Sequence, residues 1–203
     1  YIFGGAIYNE RGGNLTIINS TFINTTATGS EEECYGGAIY NVLGGNITVI
    51  NSTFINSTSK REGGAIYNYY SGNITLINSS FINTYSGRYG GAIYNSISGS
   101  VTVTNSSFIN TTSLGTGGAI NSGEDVFVLN STFINTNLTT QHPTFGRGGS
   151  IYCGGYNLHV IDSTFTNTSA FNGGAIYGYN VNVVNSTFTN TGSTGTVNYY
   201  GGG

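Results

Sequence analysis

Short runs of alternating apolar and polar residues recur along this chain, and the runs themselves repeat. The string GGAIYN begins at Gly4 and returns with small changes at six further glycines, each time followed by NSTF or a close variant. The repeats begin near Gly4, Gly36, Gly63, Gly90, Gly117, Gly148 and Gly173. Their first glycines are 25 to 32 residues apart, which is a period typical of solenoid proteins.

Each repeat contains three strand-like runs, which in the first repeat are AIYN, LTIIN and STFIN. In the second run two apolar residues always lie two apart, as Leu15 and Ile17 do, so they share one face of a strand. The residue between them, here Thr16, is mostly polar and is expected to face outward. Three strands in about 27 residues leave no room for a helix.

The pattern therefore predicts an all-β chain, with residues 1–203 forming a single right-handed parallel β-helix of about seven three-stranded coils and no helices. Coils stacked at the inter-strand spacing of about 4.8 Å place equivalent residues of successive repeats in columns. Two interior columns are predicted. They are Phe22, Phe54, Phe81, Phe108, Phe133, Phe165 and Phe188, and Ile7, Ile39, Ile66, Ile93, Ile120, Ile151 and Ile176.

Two columns of Asn are predicted at the corners, because Asn and Asp tolerate the left-handed conformation that a tight corner requires. The first follows the second strand and the second ends the third strand. They are Asn19, Asn51, Asn78, Asn105, Asn130, Asp162 and Asn185, and Asn24, Asn56, Asn83, Asn110, Asn135, Asn167 and Asn190. We expect their amides to bond along the stack and to be inaccessible after folding.

The length of the repeat varies mainly after FINT, which predicts a variable loop there. Any binding specificity is expected in the insertions 25–35, 136–147 and 191–200, because loops on a rigid scaffold carry recognition.

These residues resemble a known repeat. GGAI followed by a Phe–Asn element is similar to the repeat of chlamydial-type polymorphic outer-membrane proteins, and GGAIYN…GNITLINSSFINT is closer still to archaeal adhesin-like proteins of methanogens. The resemblance covers essentially the whole chain. It implies an exported, surface-displayed β-helical protein without known catalysis. The sequence departs from the pattern in the later repeats, with Asn121 for Tyr, Ser150 for Ala and Cys153 for Asn.

Composition narrows the function classes. Charged residues make up 6% of the chain, against roughly 25% in an average soluble domain. The net charge of −3 is thinly spread, which argues against nucleic acid, because that partner needs a clustered basic surface. No run of 18 apolar residues exists, so we expect no membrane insertion of this segment. The chain starts at Tyr1 and lacks Met, which suggests a fragment with uncapped ends.

Candidate chemistry is sparse. Glu31, Glu32 and Glu33 lie beside Cys34, where a calcium site is conceivable but a solvated acidic loop is the simpler interpretation. His159 is one coil from Glu124 and Asp125, which predicts a surface contact more readily than an acid–base pair. His142 lies in an insertion beside Pro143 and has no evident partner. The sequence therefore predicts no enzyme and no cofactor or metal, with a polysaccharide-active β-helix as the third alternative.

Exterior columns offer a binding surface. If Ile of AIYN points inward, Tyr points outward, and this column is the candidate contact surface for sugars or another rod, although cross-strand stacking alone would justify it. Its members are Tyr8, Tyr40, Tyr67, Tyr94, Tyr152 and Tyr177. A second column of Ile follows the interior Phe and is expected either outward or partly interior. Its members are Ile23, Ile55, Ile82, Ile109 and Ile134.

The sequence thus predicts a non-catalytic extracellular structural protein, the shaft of a cell-surface adhesin. The alternative is a subunit of a self-assembling extracellular filament. Expected partners are further repeats or like molecules at the open ends, and surface glycans or cell-surface ligands. Among 14 Asn-x-Ser/Thr sequons, the candidates for glycosylation are those in exposed turns, Asn14, Asn46, Asn73 and Asn137. Cys34 and Cys153 lie four coils, about 19 Å, apart and should not pair.

Overall fold

The computed structural model describes residues 2–29, 33–70, 72–139 and 146–194. Within these ranges the regular secondary structure is entirely β-strand, without a helix. Paired strands run parallel, and each pairs with the equivalent strand of the neighbouring repeat. The expectation of an all-β solenoid is confirmed at this level, and the arrangement of stacked parallel sheets is consistent with a β-helix.

Two sheets contain seven strands each. The first, the tyrosine sheet, consists of Ile7–Glu10, Ile39–Val42, Ile66–Tyr69, Ile93–Asn95, Ile120–Ser122, Ile151–Cys153 and Ile176–Tyr177. The second, the middle sheet, consists of Leu15–Ile18, Ile47–Ile50, Ile74–Ile77, Val101–Thr104, Val126–Leu129, Asn157–Ile161 and Asn180–Val184. Register is exact from repeat to repeat in both sheets, so that Tyr67 pairs with Tyr94 and Thr75 with Thr102.

The third sheet, the phenylalanine sheet, has 12 strands. Seven contain the repeated Phe: Thr21–Ile23, Thr53–Ile55, Ser80–Ile82, Ser107–Ile109, Thr132–Ile134, Thr164–Ala170 and Thr187–Ser193. Five are short strands after the corner Asn: Thr26–Ala27, Thr58–Ser59, Tyr85–Ser86, Thr112–Ser113 and Asn137–Leu138. A separate two-stranded sheet pairs Ile2–Phe3 with Cys34–Tyr35.

The expectation of three parallel sheets is confirmed, but the first five repeats carry a fourth, short strand that belongs to the phenylalanine sheet. The stretch after FINT begins with this two-residue strand, as Thr58–Ser59 does, and Ser59 and the preceding Ser57 are both buried. In the last two repeats the two segments merge into one seven-residue strand, Thr164–Ala170 and then Thr187–Ser193. Sequence periodicity missed these strands because two residues are too few to show alternation.

The core consists of the predicted columns. The inner Phe rings stack face to face, with centroids 4.6–5.0 Å apart and nearly parallel planes. Phe54, Phe81, Phe108, Phe133 and Phe165 are fully buried. The inner members of the Ile column, from Ile39 to Ile151, are fully buried as well. Both interior columns are therefore confirmed.

Each coil begins with two glycines because the first position has a left-handed backbone conformation and the second lies very close to the next coil. The first, as Gly63, has a φ of 67°, in the left-handed region where a side chain is strained. The second, as Gly64, lies so close to the next coil that an added Cβ would be 1.9 Å from the carbonyl oxygen of Gly91. Neither position accepts another residue without moving the backbone.

Every Asn or Asp of the two predicted corner columns has a positive φ, between 45° and 54°. The Ser after the first corner also stabilises the turn, and the sequence pattern did not predict this role. Its hydroxyl donates to the carbonyl two residues back and accepts the N–H of the Ser in the preceding coil, as Ser79 does with Ile77 and Ser52. The left-handed corner and the Ser together supply partners for backbone groups that the turn removes from the sheets.

One expectation about the corners is wrong. Asn19, Asn51 and Asn78 are exposed residues, and so are the strand-end Asn24 and Asn56. The amides of the second column bond along the stack as expected, at 2.9–3.1 Å, but they do so on the outer surface. A left-handed residue at a convex corner turns its side chain away from the core.

The buried Asn column lies elsewhere, at the end of GGAIYN. Asn41, Asn68 and Asn95 are buried, and each donates Nδ2 both to the carbonyl four residues on and to the equivalent side chain of the next coil. The amide-to-amide distances from Asn9 to Asn95 are 2.6–2.8 Å. Strict alternation from the inward Ile makes this Asn inward, and that was the available signal.

Substituting the central member of this column should be costly. Asn68→Ala removes two donated bonds and one accepted bond, leaving Gly72, Asn95 and Asn41 with unsatisfied buried groups. We expect a loss of about 3 kcal/mol in the free energy of unfolding, measured by urea denaturation. The matched Asn46→Ala, at an exposed residue, should cost about 1 kcal/mol or less. Equal losses in the two variants would contradict the buried column.

Candidate functional site

The outer face of the tyrosine sheet carries a column of stacked rings. Adjacent Tyr rings lie 5.1–5.6 Å apart and nearly parallel. We call this the tyrosine column, which consists of Tyr8, Tyr40, Tyr67, Tyr94, Tyr152 and Tyr177, with Asn121 between Tyr94 and Tyr152. The rings stack because the register aligns them at the spacing that suits offset aromatic pairs.

A second column lies beside the tyrosine column and comes from the residue immediately before each glycine pair. We call it the flank column, and its members are Phe3, Tyr35, Glu62, Tyr89, Thr116, Arg147 and Asn172. Tyr35 lies 4.7 Å from the ring of Tyr67, and Tyr89 lies 6.1 Å from that of Tyr94. This packing buries Tyr40 and Tyr67, whereas Tyr8 at the end of the stack is half exposed.

Burial of the inner rings changes their acidity. It raises the pKa of Tyr40 to about 12, chiefly through loss of solvation of the phenolate. The pKa of Tyr67 is raised further by the same effect, with the nearby carboxylate of Glu62 adding to it. Both phenols are therefore neutral hydrogen-bonding groups at any physiological pH, and neither is suited to act as a base.

Glu62 is the buried carboxylate of this face. Arg88 lies 3.3 Å from its Oε1 and Arg61 lies 3.9 Å from its Oε2, and the latter oxygen has no hydrogen bond among the described residues. Burial raises the pKa of Glu62, and the two guanidinium groups oppose that rise without cancelling it. The carboxylate is thus held by its ion pairs at an energetic cost.

The tyrosine column is interrupted at one coil, and the interruption opens a cleft. Both columns carry a small residue there, Asn121 in place of Tyr and Thr116 in the flank column, and Asn121 Nδ2 donates to the Thr116 hydroxyl. The cleft, which we call the Asn121 cleft, has a volume of about 500 Å³. Its lining comprises Tyr89, Tyr94, Ser96, Thr116, Asn121, Gly123, Arg147, Tyr152 and Gly154.

The walls of the Asn121 cleft differ in character. Tyr89 and Tyr94 form one side, while Arg147 and Tyr152 form the other. The guanidinium of Arg147 lies 5.1 Å from the ring centre of Tyr177, one coil further on. Its Nε is shielded from solvent and has no hydrogen-bond partner in the described ranges. The cleft therefore combines aromatic walls with a cation that retains unused donor capacity.

A second recess continues from the cleft, since Gly123 and Gly154 line both. It has a volume of about 360 Å³ and is bordered by Glu124, Tyr156 and Tyr179. Tyr156 and Tyr179 are 84% and 75% exposed. Cleft and recess together form a groove along the outer surface.

The other sequence-predicted residues are not gathered into a site. The ring of His159 stacks on Phe127, and the Nδ1 atom of His159 contacts the amide of Asn182. The carboxylate of Asp125 accepts two hydrogen bonds from Asn157, and these bonds lower the pKa of Asp125. Asn14, Asn46 and Asn73 lie exposed at the start of the middle sheet, and Asn137 is half-buried. Glu31, Glu32, His142 and most of the 191–200 insertion lie outside the described residues.

The two cysteines, Cys34 and Cys153, are buried and are not joined by a disulfide. Cys153 occupies the buried Asn column and donates its thiol to the carbonyl of Asn157, four residues on, as the Asn amides do. Burial raises the pKa of this thiol to about 11. In the described ranges no group of three or more His, Cys, Asp or Glu residues is arranged to hold a metal ion.

The repeat pattern predicted the tyrosine column and showed Asn121 as a departure from the repeat, but it did not predict the cleft. The missing information was the flank column, whose members share only a position and not a residue type. The available signal was the coincidence of two small residues, Thr116 and Asn121, in one repeat.

Within the described residues no helix is long and apolar enough to cross a membrane. Comparison of the chain with protein-family models, with curated proteins and with solved structures gave no match.

The raised pKa of Glu62 predicts a pH dependence. A carboxyl whose folded-state pKa is raised favours folding while it is protonated, and this contribution is lost as pH rises through the folded-state value. The stability of the wild type should therefore fall relative to Glu62→Gln as pH rises from the ordinary Glu pKa of about 4.3 through the higher folded-state value, as urea denaturation at each pH would measure. Glu10→Gln, at an exposed ion pair with Arg11, is the control. If the free energy of unfolding of the wild type increases relative to that of Glu62→Gln as pH rises, the prediction is wrong.

Proposed function

We propose that this chain is the shaft of a cell-surface adhesin, a right-handed parallel β-helix of about seven coils that is exported and non-catalytic. The proposal rests on the hydrogen bonds that polar side chains form between successive coils. Asn, Ser and Thr, which dominate the polar composition, bond from coil to coil in continuous columns and so join the repeats into a rod. Right-handedness follows the strong preference of parallel strand crossovers.

The site chemistry supports binding in preference to turnover. The phenols of Tyr40 and Tyr67 have raised pKa values, the thiol of Cys153 is buried and protonated, and the carboxylate of Glu62 is enclosed by two Arg side chains. The two phenols and the thiol are therefore not poised to transfer a proton near neutral pH. The open surface is instead a groove with aromatic walls. The GGAI and Phe–Asn repeats accord with the polymorphic outer-membrane type and the archaeal adhesin-like type.

A second candidate function, a self-assembling filament, is favoured by the ends of the stack. In the last described coil Val181 and Val183 are each 41% exposed and Phe188 is 37% exposed, whereas their equivalents in the inner coils are fully buried. The first coil also presents incompletely buried apolar residues, among them Leu15 and Phe22. A further repeat in a longer chain or a second copy would cover it equally well.

Export through a glycosylating pathway predicts a particular set of occupied Asn residues. At Asn14, Asn46, Asn73 and Asn137 the side-chain oxygen accepts a bond, while Nδ2, the atom that carries a glycan, donates to none of the described residues. At Asn56, Asn110 and Asn167 Nδ2 is committed to the stack. Glycopeptide mapping should find occupancy concentrated in the first set. Predominant occupancy of the second set would contradict the assignment.

Immunogold electron microscopy of the producing cells tests the function itself. An adhesin shaft should be labelled on the outer surface of intact cells, without permeabilisation. Label along detached fibres would favour the filament instead. Label confined to the cell interior, with none on intact cells, would overturn both proposals. A cytoplasmic protein stained in parallel is the control for cell integrity.

A further inference from the structure

We propose that the Asn121 cleft binds an acidic sugar ring, as one unit of an anionic oligosaccharide that continues into the adjoining recess. The inference deepens the proposed adhesin function by naming its ligand class, and it rests on that function for its biological setting. It is carried by the dimensions of the gap, the character of the walls and the position of Arg147, a cation without a carboxylate partner among the described residues.

The gap is one ring thick. Tyr94 and Tyr152 pair with Asn121 from opposite sides, so their rings lie two inter-strand spacings apart, about 10 Å. A single ring midway between them would lie about 5 Å from each, close to the 5.1–5.6 Å at which neighbours in this column already stack. A ligand ring would thus take the place of the side chain that this repeat lacks.

The walls select the kind of ring. The face of an aromatic ring carries partial negative charge. It attracts the weakly positive C–H bonds of a sugar ring, and it also attracts organic cations. Arg147 in the opposite wall disfavours a cation. Ser96, Thr116 and Asn121 bring hydroxyl and amide groups to the same cleft, as a hydroxyl-bearing ring requires and a plain aromatic ring does not.

Arg147 specifies the charge. The other three arginines of the chain each pair with a Glu, Arg11 with Glu10 and both Arg61 and Arg88 with Glu62. Arg147 has no carboxylate partner among the described residues, and the preceding segment, 140–146, contains no Asp or Glu. A carboxylate or sulfate on the bound ring would pair with its guanidinium group through a charge-assisted bond.

The groove beyond the cleft indicates a chain of sugars in preference to a single one. Tyr156 and Tyr179 border the adjoining recess with their rings largely exposed, in positions that offer further stacking surfaces. Cleft and recess fall within the range of volumes of small-molecule sites. Glu124 in the recess would repel a second charge placed against it, so the acidic unit is expected in the cleft itself.

Isothermal titration calorimetry of the intact chain with tetragalacturonate tests the proposal, with maltotetraose as the neutral counterpart. We expect the acidic tetrasaccharide to bind at least about tenfold more tightly, since the charge-assisted bond to Arg147 outweighs the repulsion between Glu124 and a further carboxylate in the recess. Ring resonances of Tyr94 and Tyr152 should shift in the NMR spectrum on binding. Equal affinity for the two sugars, or no binding of tetragalacturonate, would overturn the proposal. A heparin-derived tetrasaccharide distinguishes sulfate from carboxylate as the preferred anion.

Two variants separate the cleft from the rest of the surface. Asn121→Tyr restores the residue of the other repeats, so it should fold while abolishing binding by filling the gap. Arg147→Gln should reduce the preference for the acidic sugar about tenfold or more. Arg11→Gln, which alters an arginine that pairs with Glu10 outside the cleft, is the matched control and should bind as the wild type does. Undiminished binding by both cleft variants would overturn the proposal.

Analysis of the sugar after incubation keeps the two proposals distinguishable. Recovery of intact tetragalacturonate is the expected result. Cleavage of bound tetragalacturonate would refute the non-catalytic function while supporting the ligand class. Failure to bind any of the sugars would refute the ligand class and leave the role of the rod as a shaft to be decided by surface labelling.

Discussion

Parallel hydrogen bonding between successive coils is the interaction on which the rest of this structure depends. It sets the coils about 4.8 Å apart and aligns each residue with its counterpart in the next repeat. That spacing suits stacked rings, hydrogen-bonded amides and bridging hydroxyl groups equally well. Phe, Asn and Ser therefore each form a column in this protein, and each column stabilises the same register.

The polar columns solve a problem that a solenoid with tight corners creates. Each corner interrupts the sheets and leaves backbone groups without partners. The left-handed Asn and the following Ser supply those partners, and the buried Asn of the tyrosine sheet binds the turn that follows it. The substitution at Cys153 preserves the bond, because its thiol donates to the same backbone position as the Asn it replaces.

The Asn121 cleft follows from the same regularity. In a stack where every position is occupied by its counterpart, two small residues in one repeat leave a gap whose shape is set by the neighbouring side chains. Asn121 and Thr116 create that gap between Tyr94 and Tyr152, and the hydrogen bond between them defines its floor. A cleft can thus form on the surface of a regular stack where one repeat carries smaller side chains, without an inserted loop.

Features determined by local sequence could be predicted. The alternation around Phe81 identified an interior residue, and the position of Asn78 after a strand identified a left-handed corner, because both depend on residues close by in the chain. The exposure of Asn78, the short strand Tyr85–Ser86 and the Asn121 cleft were decided by tertiary structure. Each depends on which side chain lies one coil away, and the variable insertions separate those neighbours by different numbers of residues along the chain.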